Sequence, residues 1–307
     1  MAQIEIEGVV VPLLLPYMRG YPNFAQIPIY LDRLRANGVN TMFFNSSVGR
    51  GLALSDGDAL RCVRMGVWDK HTTVLANVSD FSTERSKMKA KIYFGQGVHA
   101  VVSTLPLYYT PLSTSAAVQH FTALADIGPL VLYDLPGRVG KQLELSVVEE
   151  MAAHPNCVGI KYSGDDSLHL AQLLNIRAAQ TDGHFSVLAA NQVLARQGCK
   201  RGTFERRIDG VVVSTANVFP AIWSEYWEKC RNYFGTERLK HVPDDELLAL
   251  ERLLDGTNVQ KESELIAWSL HLLGYGDGSL PEPYERLSSA EKAIADEIVS
   301  YLALLQD

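Results

Sequence analysis

Cysteine is scarce in this chain. Its 307 residues hold four, Cys62, Cys157, Cys199 and Cys230, widely spaced and with no CxxC pair. That spacing gives no disulfide framework and no paired-cysteine zinc site; free thiols in a reducing compartment are expected. Histidine is thin too. There are eight, and none forms an HxxxH pair, so a metal-dependent aldolase has little to stand on. Basic charge is not in excess: 28 Lys and Arg face 35 Asp and Glu, a net charge of −7. This argues against a nucleic-acid partner held through phosphates. No uninterrupted apolar run reaches membrane-spanning length. The first residues are polar and carry Glu5 and Glu7, unlike a secretion signal. Internal repeats and low-complexity tracts are missing as well. A cytoplasmic protein with no membrane partner is the expectation.

What remains is an ordinary globular mixture, 47% hydrophobic and 21% charged. The length suits either two domains or one large α/β barrel. Short apolar runs alternate with amphipathic segments up to about residue 217. Strands are predicted over 8–15, 41–45, 72–77, 100–105, 130–134, 158–162, 185–189 and 210–214. Each is rich in Val, Ile and Leu, as parallel strands covered on both faces should be. Helices are predicted over 27–37, from Ser55, and over 82–96, 115–125, 146–153 and 166–178. The expected fold is therefore α/β: a (β/α)8 TIM barrel over residues 1–217. From 218 to 307 the pattern becomes helical, with helices predicted over 219–234, 244–254, 261–273 and 288–305. This reads as a C-terminal helical domain on the barrel, interrupted by a loop at 274–283 (GYGDGSLPEP). Residues 200–207 (KRGTFERR) read as a basic loop before the last strand; such a run is either a solvated face or a substrate contact.

One residue breaks the apolar pattern. Lys161 sits in CVGIKYS, a run that otherwise reads as a buried strand. Lysine is seldom buried without a partner. In a dry site its amine resists protonation and becomes a nucleophile able to form a Schiff base with a ketone. The plain alternative is a strand-end lysine that reaches solvent. Other candidates fall at the C-terminal ends of predicted strands, where barrel enzymes keep their chemistry. These are NSSVG (45–49), PLYY (106–109), YDLPGR (133–138) and Lys161 itself. Each has an ordinary reading: Tyr133 as a satisfied core tyrosine, Ser46 and Ser47 as a helix cap, Tyr108 and Tyr109 as interface packing. Their convergence on one mouth favours a site.

These segments resemble the dihydrodipicolinate synthase / N-acetylneuraminate lyase family of pyruvate-dependent class I aldolases. LYDLPGR is similar to the family's YNxPxR/T, GIKYSGDD to GIKxxxGD, and SSVGRGLALS stands in the place of GTTGExxxLS. The resemblance covers almost the whole chain. It implies that Lys161 forms an imine with pyruvate or another 2-oxo acid, and that Tyr133 is the general acid/base. It further implies that the turn Ser46-Ser47-Val48-Gly49 binds the carboxylate, with the Ser47 hydroxyl relaying protons to Tyr133. Tyr108, or Tyr109, would reach into a neighbouring subunit's site, in a homotetramer built as a dimer of dimers. Arg138 would grip an acid group of an aldehyde substrate. No metal or organic cofactor is implied, because the imine is itself the electron sink.

The chain also departs from the family. Val48 replaces a threonine, which removes one hydroxyl donor to the carboxylate; such a bond contributes about 1.5–3 kcal/mol. Arg50 stands where the family has Glu, and Asp134 where it usually has Asn. The end of the seventh strand, Ala189-Ala190-Asn191-Gln192, lacks the usual SG(D/S)D. Aldol cleavage, dihydrodipicolinate synthase-type condensation and dehydration of a 2-keto-3-deoxy acid all stay open. So does a catalytically silent relative that binds a 2-oxo acid.

Overall fold

All eight apolar runs form parallel strands in the computed structural model, which describes residues 4–68, 70–109, 111–180, 185–201, 207–234, 236, 238, 243–248 and 261–304. They are β1 (Gly8–Pro12), β2 (Thr41–Phe44), β3 (Thr73–Asn77), β4 (Ala100–Ser103), β5 (Leu130–Asp134), β6 (Cys157–Tyr162), β7 (Ser186–Ala189) and β8 (Gly210–Val212). Each pairs with its neighbours in sequence, and β8 closes onto β1. The strands alternate between two apolar environments. Val131, Tyr133 and Val158 join Val10, Phe43, Leu75 and Leu188 inside the barrel. Leu130, Leu132, Ile160 and Tyr162 face the surrounding helices. Because both sides are apolar, alternation is invisible in the sequence and the strand reads as a continuous run.

The helices around the barrel are α1 (Ile27–Ala36), α2 (Asp56–Val67), α3 (Thr83–Phe94), α4 (Thr114–Ala125), α5 (Leu145–Ala152), α6 (Ser167–Ala179) and α7 (Gln192–Arg201). Three begin on a serine whose hydroxyl accepts a backbone N–H of the first turn: Ser55 from Asp58, Ser82 from Arg85 and Ser113 from Ala116. The basic-loop reading of 200–207 needs correction. Lys200 and Arg201 end α7, whose Leu194, Ala195 and Cys199 are buried in the core. Residues 202–206 lie outside the described residues.

Among the described residues, the helices α8 (Pro220–Tyr233), α9 (Glu262–Leu272) and α10 (Ser289–Leu304) follow the barrel. Of the helix expected over 244–254, residues 245–248 are helical and 249–254 lie outside the described residues. A short antiparallel pairing of Tyr17–Met18 with Tyr21–Pro22, unforeseen in the sequence, follows β1. The barrel joins the helical part through buried Asn217. Its Oδ1 accepts the Leu14 N–H at 2.9 Å and its Nδ2 donates to Pro12 O at 3.1 Å, so the exit of β1 is tied to the entry of α8. No described helix is long and apolar enough to cross a membrane.

Candidate functional site

Tyr133 and Lys161 are register partners on β5 and β6, one strand apart. Both are 5% exposed. The Lys161 Nζ lies 3.7 Å from the centre of the Tyr133 ring. No carboxylate forms an ion pair with it among the described residues. Burial therefore dominates, and it pushes the Lys161 amine below the ordinary lysine value; the Tyr133 hydroxyl and the Glu262 carboxylate act weakly the other way. Gly159 makes the placement fit, since a Cβ there would come within 2.5 Å of the Ser186 carbonyl on β7. Phe43 packs edge to face on Tyr133, with ring centres 6.2 Å apart, and fixes the phenol's direction.

The turn after β2 sits against the end of β1. The Ser46 hydroxyl accepts the Gly49 N–H at 3.1 Å and donates to Leu13 O at 3.4 Å. Gly49 has no room for a side chain, because a Cβ would lie 2.1 Å from that same carbonyl. Ser46 and Gly49 thus build the turn and spend their polar groups inside it. Ser47 and Val48 are half-buried. Their backbone N–H groups and the Ser47 hydroxyl have no partner among the described residues, which is the state of a turn open to an anion.

Arg138 lies on a single helical turn, Pro136–Val139, and is exposed. Asp134 anchors this loop. Its Oδ1 accepts the Leu143 N–H at 3.1 Å and its Oδ2 stands 3.3 Å from Nε2 of His169 on α6. Arg138 lines an open groove of about 580 Å³ together with Arg50, Glu264 and Tyr284. Tyr108 stands outside this cluster. It is 83% exposed and has a left-handed backbone, φ +76°, unusual for an aromatic residue. Tyr109 is 64% exposed and packs edge to face against it, so neither is singled out within one chain.

Two carboxylates reach this mouth from the helical part without being foreseen. Glu262 accepts a hydrogen bond from the Ser214 hydroxyl just past β8. Glu264 is 4% exposed and forms an ion pair with Arg50, whose Nη1 also donates to Pro283 O at 3.1 Å. An acidic first turn is ordinary for any helix, so ESE at the start of α9 carried no distinct signal. Among the described residues no group of three or more His, Cys, Asp or Glu is arranged to hold a metal.

Comparison with known proteins shows the family and the fold. The model of the dihydrodipicolinate synthetase family matches residues 5–302. A 4-hydroxy-tetrahydrodipicolinate synthase of Methanospirillum hungatei is 26% identical over 306 residues, spanning 96% of this chain and 98% of that one. Among solved structures, a monomeric dihydrodipicolinate synthase variant superposes with a TM-score of 0.87 at 19% identity, covering 97% of each chain. YagE of E. coli K12, solved in complex with pyruvate, superposes with a TM-score of 0.84 at 20% identity, covering 98% of this chain and 99% of that one. At those identities the two structures speak for the fold. The chain belongs to the dihydrodipicolinate synthetase family.

Proposed function

We propose that this member of the dihydrodipicolinate synthetase family is a Schiff-base-forming lyase that joins pyruvate, or a longer 2-oxo acid, to an aldehyde and cleaves the product. Family membership supports a lyase or aldolase. The observation that carries the finer reading is a buried amine, without an ion pair, register-paired with a tyrosine at the barrel mouth.

The neutral Lys161 amine adds to the keto carbon, one proton is taken up from solvent and water leaves, giving a protonated imine. That cation draws the electron pair of a C3–H bond into an enamine as the C3 proton passes to solvent water. The enamine carbon attacks the aldehyde carbon, a C–C bond forms, and the aldehyde oxygen takes a proton from Tyr133. Water then hydrolyses the imine and frees Lys161. Cleavage runs the same steps backwards. No redox change occurs, and the imine alone serves as electron sink, so the scheme needs no cofactor. The free N–H groups of Ser47 and Val48 hold the 2-oxo acid's carboxylate, Ser46 and Gly49 keep that turn in shape, and the Ser47 hydroxyl relays protons to Tyr133. Arg138 receives an anionic group of the second substrate. In the assembly proposed here, a homotetramer built as a dimer of dimers, the exposed Tyr108 reaches the mouth of a neighbouring subunit.

The test is borohydride trapping with pyruvate, followed by peptide mass mapping. An adduct on Lys161 is expected in the wild-type chain and in Tyr133→Phe, and none in Lys161→Ala. Tyr133→Phe should still lower turnover by roughly 10²–10⁴-fold, the range of a lost general acid/base. A folded wild-type chain that traps no pyruvate would sink the proposal.

A further inference from the structure

Arg138 is aimed by its backbone. The side chain is exposed, and its guanidinium has no hydrogen-bond or ion-pair partner among the described residues. Its direction therefore follows the turn Pro136–Val139. That turn closes on itself: the Arg138 and Val139 N–H groups donate to Leu135 O at 3.1 and 3.0 Å, and the Gly140 N–H donates to Pro136 O at 2.8 Å. Buried Val139 and Leu143 seat the segment in the core, but apolar contact has no direction of its own. Asp134 supplies a directional tie, since its Oδ1 accepts the Leu143 N–H at 3.1 Å.

Asp134 is itself held from outside the loop. Its backbone oxygen accepts the Ser163 N–H at 2.9 Å, one step past the pairing of Tyr133 with Lys161. Its Oδ2 stands 3.3 Å from Nε2 of His169. Both side chains are buried. The two atoms face each other without meeting hydrogen-bond geometry, and neither has any other partner among the described residues. Buried polar atoms are almost always paired, so each is left with the other. An ionised carboxylate only accepts, so a hydrogen on Nε2 suits it. His169 is fixed in turn. The Asp166 side chain caps α6 and accepts the His169 N–H at 3.3 Å, and the Tyr162 ring centre lies 5.1 Å from that of the imidazole. Tyr162 follows Lys161 on β6. One imidazole thus joins the strand end that carries Lys161 to the loop that carries Arg138.

Given the role proposed above for Arg138, we infer that His169 is a positioning residue: through Asp134 it holds the loop 135–143 so that Arg138 meets the anionic group of the second substrate. His169 touches no substrate. It sets the geometry at which a bound acid is offered to the enamine. A misplaced guanidinium weakens capture of that acid and leaves imine formation alone.

The experiment measures condensation of pyruvate with succinic semialdehyde against butanal. The two have the same carbon count, and only the first carries a carboxylate. The wild-type chain should favour succinic semialdehyde, and Arg138→Ala should abolish that preference. In His169→Leu the KM for succinic semialdehyde should rise by about tenfold or more. Its kcat, the butanal kinetics and pyruvate trapping on Lys161 should stay close to wild type, whereas a general loss of packing would lower kcat and act on both aldehydes alike. His169→Gln should restore the KM, because its amide nitrogen can donate from near the Nε2 position. His169→Leu leaves the Asp134 carboxylate buried without its neighbour and endangers folding. The double variant Asp134→Asn with His169→Leu is therefore measured beside it, with thermal melts as the check. Asn keeps an acceptor for Leu143 but has no tie to α6, so the raised KM is expected there too. A folded variant that keeps the wild-type KM, a loss shared by both aldehydes, a Gln variant that restores nothing, or failure of both Leu variants to fold overturns the inference while the reading of Arg138 stands. A wild-type chain without preference for the acid, or one whose preference survives Arg138→Ala, overturns the reading of Arg138, and this inference falls with it. A wild-type chain that traps no pyruvate removes the imine reading and this inference together.

Discussion

Burial pushes the Lys161 amine below its ordinary value, and that same loss of solvent weighs on the folded state. Its amine titrates below 10.5 in the fold and near 10.5 when the chain is unfolded. Between those two values the unfolded chain binds more protons, so stability rises with pH across that window; below it the fold bears the full penalty of a buried charge. Lys161→Met removes the titrating group and keeps most of the volume. It should therefore stabilise the chain at pH 7, by an amount that shrinks as the pH climbs toward 10.5, at about 1.4 kcal/mol for each unit of displaced pKa. Urea midpoints of both proteins at pH 7 and pH 10 measure this; the same difference at both would contradict a lowered lysine. Lys161 was legible as a charge within an apolar run, and Tyr133 through the resemblance of LYDLPGR to the family's segment. Glu262, Glu264 and the His169 contact of Asp134 were not, because their meaning lies in partners far off in the chain. No local pattern separates Glu264 from any solvated helix-start glutamate.

Elements became legible where burial on both faces wrote a continuous apolar run. β5 ends where expected, at Asp134, and β6 begins one residue early, at Cys157. α7 was missed because its end runs into KRGTFERR, whose charge reads as a basic loop, and because Gly198 interrupts it; Leu194, Ala195 and Cys199 pack into the core all the same. The contact between α2 and β2 shows packing and propensity in opposition. A Cβ on Gly66 would come 2.3 Å from the Phe44 ring. Alanine at a helix-interior position gains up to about 1 kcal/mol over glycine. Forcing a methyl into this contact costs about 1–3 kcal/mol, because Phe44 is fully buried and has nowhere to retreat. Gly66→Ala should lower the denaturation midpoint despite its better helix propensity. A raised midpoint would mean that Phe44 yields more easily than its burial implies.

Large apolar side chains stand exposed at several places on the molecule, and two of them share one cavity. Leu52 and Phe81 are each 56% exposed, and both line a cavity of about 190 Å³ with Leu107, next in sequence to the exposed Tyr108. Single exposed apolar residues are commonplace, whereas apolar residues grouped at a surface are a place where another chain can sit. The proposed tetramer gives it a use, since the same contact would carry Tyr108 into a neighbour's mouth. Phe81 lies outside the Lys161 cluster, so Phe81→Asp addresses the assembly while sparing the residues proposed to act on substrate. A buried charge at the centre of such a contact has no partner and should split it. Sedimentation velocity should show a tetramer for the wild-type chain and a smaller species for the variant. Pyruvate trapping on Lys161 should persist in the variant, because imine formation needs only one chain, while turnover falls with the loss of Tyr108 from the neighbouring site. A wild-type chain that sediments as an active monomer would remove both the assembly and the role given to Tyr108. A dissociated variant with undiminished turnover would remove that role alone.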